Sequence, residues 1–115
     1  MSQYIEAKHK CLTELRKFRC DVNDHLPDEP NGDKYLIDWT LEDCGYIQRC
    51  INRTIGVILS TCMHDHVAQE LWQIQDAYES AMNDKDIRKC QLVLNKAMKE
   101  FAIVHTCCKA IKEDI

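Results

Sequence analysis

Both prolines of this 115-residue chain fall within four positions, at Pro27 and Pro30, and only three glycines, Gly32, Gly45 and Gly56, interrupt the rest. Proline removes a backbone donor and glycine supplies the unusual dihedrals that tight turns need, so turn-rich β folds use both freely. Their scarcity excludes such a fold and leaves two long stretches in which apolar residues recur every three or four positions. The expected architecture is all-α. A chain of this length fits one domain, residues 1–115, folded as a small antiparallel bundle of about four helices.

The first helix is expected from about Ser2 to Asn23, with Tyr4, Cys11, Leu15, Phe18 and Val22 on one face and Ile5 and Leu12 widening it. Pro27 and Pro30 end it, and Pro30-Asn31-Gly32-Asp33 is a turn signature, which makes residues 25–39 a connector. Thr40 followed by Asp43 resembles a capping box and opens a second helix with the stripe Cys44, Ile47, Ile51, Ile55, Ile58 and Cys62. Val67, Leu71, Ile74, Tyr78 and Ala81 form a third face over about Asp65 to Met82. No glycine or proline divides these two helices. The alternative is therefore one long bent helix over residues 41–82, whose uncovered stripes would pair with a second chain as an intertwined dimer. The phase slip after Cys62 and the capping capacity of Asp65 favour a break. Asn83-Asp84 is the expected cap of the last helix, Lys85 to Lys112, with Ile87, Cys90, Leu94, Ala97, Phe101, Val104, Cys108 and Ile111 inward.

The longest apolar run, Ile55 to Leu59, is far short of the roughly 20 residues that span a bilayer. Met1 to Cys11 has no apolar core of secretory length, so the expected setting is the cytoplasm, with the eight cysteines reduced. The net charge of −4 is uneven: residues 21–43 hold eight acidic groups and one basic. Lys8, Lys10, Arg16, Lys17 and Arg19 are the nearest approach to a basic face. Without interleaved stacking aromatics they read as a solvated helix surface, and nucleic acid is not an expected partner. The glycosylation triplet Asn52-Arg53-Thr54 lies in a strongly helical segment and reads as chance.

An up-and-down arrangement gathers His9, Cys11, Cys62, His64, His66, His105, Cys107 and Cys108 at one end, and Cys20, Cys44, Cys50 and Cys90 at the other. Thiolate and imidazole suit zinc or copper(I), and Cys62 with His66 and His105 with Cys108 each share a helix face, so these four form the candidate metal set. Paired cysteines two to four residues apart, the usual mark of structural zinc, are missing. The plainer expectation is that Cys11, Cys44, Cys62, Cys90 and Cys108 fill the core as small hydrophobes, with metal binding or disulfide chemistry as alternatives. A Glu6–His9 pair and a His66–Glu70 pair are too few for a di-iron site. The acidic connector does not match a calcium loop, and no phosphate-cradling loop or serine elbow is present.

With no catalytic residue or cofactor indicated, the expected function is a non-catalytic protein–protein interaction module, such as a small adaptor or a viral or mobile-element inhibitor. Asp28, Glu29, Asp33, Tyr35, Asp38 and Trp39 form the candidate partner-binding patch, an acidic and aromatic cluster suited to a basic protein. Tyr35, Leu36, Ile37 and Trp39 are nevertheless expected to fold back on the bundle. The alternative function is a metal-binding protein, zinc-stabilised or a thiol-rich zinc or copper buffer or sensor, and a homodimer is compatible with either.

Overall fold

A computed structural model describes residues 3–25, 39–61 and 67–111. It contains four helices in those residues: α1 (Gln3–His25), α2 (Leu41–Ser60), α3 (Ala68–Asn83) and α4 (Ile87–Ala110). The all-α bundle read from the sequence is the fold.

Neighbouring helices pair around a ring, α1 on α2, α2 on α3, α3 on α4 and α4 on α1, while α2 and α4 also meet across the middle. Lys8 near the start of α1 donates to the carbonyl of Ile111 just past α4 at 2.8 Å, and Phe18 meets Phe101 edge to face at 4.9 Å, so these helices run antiparallel. Arg53 of α2 reaches back to Glu14 and Asp21 of α1 at 2.6 and 2.8 Å. The Tyr78 hydroxyl of α3 donates to the Cys44 carbonyl at the start of α2.

Thr40 caps α2 as its spacing predicts: its hydroxyl accepts from the Asp43 N–H and the Asp43 carboxylate accepts from the Thr40 N–H. The two central helices are separate, not fused. Thr61 donates its hydroxyl to the Ile58 carbonyl, a last-turn acceptor, and Ser60 adds its hydroxyl to the Val57 carbonyl that the Thr61 N–H already bonds. Asp65, the expected cap of α3, lies outside the described residues; α3 begins after Val67, which provides no side-chain cap.

The expected cap of the last helix is corrected. Asn83 is still the last residue of α3, Asp84 is its C-cap, and the chain then turns through Lys85 at φ 53°. Lys85 N–H bonds to the Met82 carbonyl and Asp86 N–H to the Ala81 carbonyl, both at 3.0 Å, the six-to-one and five-to-two pattern that closes helices through a left-handed residue. Asp86 then caps α4, its carboxylate accepting from Lys89 N–H at 3.1 Å. A lysine, not the usual glycine, holds the left-handed position, and for that reason the sequence carries no visible stop signal there.

Every described residue of the predicted stripes on α2 and α3 is buried, and Ile47, Ile51, Ile55, Leu71, Ile74 and Tyr78 are wholly so. Each such side chain contributes about 1.5–3 kcal/mol by leaving water. Thr54, Cys50 and Gln91 are also buried, although none belongs to an expected stripe. Thr54 lies in mid-helix with its hydroxyl 3.3 Å from Glu14, consistent with a glycosylation triplet that is chance.

Candidate functional site: two buried thiol pairs and a cation-rimmed groove

Helix packing brings four of the eight cysteines together in two pairs. Cys11 of α1 and Cys108 of α4, both wholly buried, face each other closely enough for a thiol–thiol hydrogen bond. Burial, then that bond, pushes the Cys11 thiol far above its ordinary range, and burial raises Cys108 as well. Lys8 lies over this pair, with its ammonium on the Ile111 carbonyl, where a cation favours the negative end of α4.

At the opposite end Cys44 of α2 meets Cys90 of α4, again with neither exposed. The Tyr78 hydroxyl sits against both, donating to the Cys44 carbonyl at 2.8 Å and lying beside the Cys90 sulfur. Cys90 also approaches the Met82 thioether, Sγ to Sδ 3.8 Å. Burial pushes Cys44 up to about 12 and raises Cys90 and Cys50. Thiols held protonated at neutral pH are poor nucleophiles and poor ligands, so these residues pack before they react. Cys20 is exposed and Cys107 half-buried.

The second feature is a groove between α1 and α4. Leu15, Phe18, Val22, Phe101 and Met98 give it an apolar floor, and Arg16, Arg19 and His105 stand at its sides. Its volume of about 80 Å³ admits one apolar side chain, well below the roughly 300 Å³ at which small-molecule pockets begin. His105 is half-buried there; burial, then Lys109, Arg19 and Arg16, hold its imidazole below the usual value. A second groove, between α2 and α3, is lined by Gln48, Asn52, Gln75, Asp76 and Glu79 and carries no apolar floor.

Of the candidate metal set, Cys62 and His66 lie outside the described residues, and the other two diverge: Cys108 turns to Cys11 and His105 into the groove. No group of three or more histidine, cysteine, aspartate or glutamate side chains forms a metal-sized cluster among the described residues. Asp28, Glu29, Asp33, Tyr35 and Asp38 of the connector patch are likewise outside them. Trp39 is within them and is buried, 6% exposed, so the end of the connector does fold back on the core. Of the five basic residues on α1, Lys8 is buried, which breaks up the basic face, and Arg16 and Arg19 are drawn to the groove. Sequence reasoning passed over that groove because its walls come from opposite ends of the chain. The only signal was Met98 beside the inward position Phe101.

Among the described residues no helix is long and apolar enough to cross a membrane. No family model matches the chain, no curated protein is significantly similar to it, and no solved structure matches it.

Proposed function

We propose that this chain is a non-catalytic protein–protein interaction module, an adaptor or inhibitor that works by occupying a partner in the cytoplasm. The observation that carries the reading is the α1–α4 groove, an apolar slot for one side chain with Arg16, Arg19 and His105 around it. Such a slot suits a partner segment that offers a bulky apolar residue flanked by carboxylates: the anchor fills the floor and the charges set orientation and encounter rate. The buried thiols, held protonated, support a non-catalytic role for those cysteines.

A peptide-display selection against the folded chain tests this. Selected binders are expected to carry a large apolar residue next to two or more acidic ones. Binding should fall at least tenfold in an Arg16→Glu, Arg19→Glu double variant whose melting temperature is unchanged. Enrichment of peptides lacking that pattern, or equal binding by the double variant, overturns the reading.

A further inference from the structure

The two thiol pairs are placed by helix register. Along α1 and α4 three contacts step in lockstep: Lys8 with Ile111, Cys11 with Cys108, Phe18 with Phe101. Each advance along α1, three positions and then seven, is matched by an equal retreat along α4. Two antiparallel helices in fixed register therefore hold Cys11 directly across from Cys108. At the other end Tyr78 fixes the second pair, since its one hydroxyl bonds the Cys44 backbone and lies beside the Cys90 sulfur. Chance core filling by small hydrophobes does not require two thiol–thiol contacts, and a contact at each end of α4 is what cross-linking needs.

We propose that Cys11 with Cys108 and Cys44 with Cys90 are disulfide sites, which close when the chain meets a small-molecule disulfide such as oxidised glutathione and clamp α4 to α1 and to α2. In each closure one cysteine thiolate attacks the glutathione disulfide, its proton going to solvent, and expels one glutathione thiolate. The second cysteine, also deprotonated, attacks the first cysteine's sulfur in that mixed disulfide and expels the other. Two thiols are oxidised to one S–S bond while one disulfide is reduced to two glutathione thiols. Burial keeps all four thiols protonated and out of reach in the folded state. Exchange therefore proceeds through an opened or unfolded chain, and the bridges form as helices dock. This inference does not rest on the interaction reading.

The test is a linkage map. Reduced full-length chain is unfolded in denaturant, refolded into a buffer of reduced and oxidised glutathione, alkylated, digested and analysed by mass spectrometry. The expected product has lost two hydrogens per bridge and yields Cys11–Cys108 and Cys44–Cys90 peptides, with the other four cysteines, Cys20, Cys50, Cys62 and Cys107, alkylated. The first bridge closes a loop of nearly the whole chain, where the entropic gain is largest, so the oxidised form should melt roughly 10 °C or more above the reduced one. Folded, reduced chain given oxidised glutathione without denaturant should react at least tenfold more slowly. Cys108→Ser should lose the first linkage alone, and Cys107→Ser neither. Bridges through Cys20, Cys50, Cys62 or Cys107, or full alkylation of Cys11, Cys44, Cys90 and Cys108 after refolding, overturn the proposal, and a single bridge overturns it for the other pair. The wild-type map decides the question even where a serine variant fails to fold.

Discussion

Helix α4 is packed differently on its two flanks. Against α3 it continues a tight turn, and Leu71, Ile74, Tyr78 and Ala81 lie sealed with Leu94, Ala97 and Val104. Against α1, from the far end of the chain, it leaves a groove over the buried side chains of Leu15, Phe18 and Phe101, with the exposed Met98, Arg16 and Arg19 around it. The comparison teaches that register and closure are separate matters. Both flanks are in register, one through a short connection and the other through the Cys11–Cys108 and Phe18–Phe101 contacts, and the second carries a groove above its buried residues.

The largest effect that separates the flanks is cavity formation. Leu71→Ala on the sealed side should cost about 3–4 kcal/mol of unfolding free energy, because a closed void cannot refill. Leu15→Ala beneath the groove should cost nearer 2 kcal/mol, since solvent and Met98 relax into the gap. Urea titrations of both variants measure this, and equal losses would remove the distinction.

A second comparison lies at the α3–α4 turn, where two neighbouring residues have opposite expected effects. Asp86 ends one helix with its N–H and starts the next with its carboxylate, so Asp86→Ala should cost about 1 kcal/mol. Lys85 pays for a left-handed backbone at φ 53°. Lys85→Gly should stabilise by about 0.5 kcal/mol, relief of that strain outweighing the added freedom of the unfolded chain. Thermal melts of the two variants give the sign directly.

The smallest expected effect is a pH dependence on the open flank alone. His105 is held below its ordinary value of 6.5 by burial and by Lys109 and Arg19 and Arg16 facing it from its own helix and from α1. The unfolded chain therefore takes up this proton first as pH falls. Stability attributable to His105 is intact above about pH 6.5, is lost as pH falls through the lower folded value, and then levels off. His105→Gln should flatten the wild-type decline in urea midpoint over that window, whereas Leu71→Ala should leave its slope unchanged. An undiminished slope in His105→Gln would show that other groups produce it.

Helix content, the inward faces of all four helices and the Thr40–Asp43 cap are determined by the sequence, because periodicity and capping are local and each side chain's burial follows from its own position on a helix. Lys85 shows where locality fails: a left-handed turn without glycine leaves no trace in residue type, so the start of α4 is displaced from the expected Lys85 to Ile87. The cysteines show the deeper division. The sequence sorted Cys11 and Cys108 to one end of the bundle and Cys44 and Cys90 to the other, because helix direction alone does that. Which thiol faces which, and that Arg16 and Arg19 border an apolar groove while Lys8 is buried on a helix terminus, were decided only by tertiary structure. Those facts depend on the rotation and register of one helix against another, set by the summed packing of residues far apart in the chain.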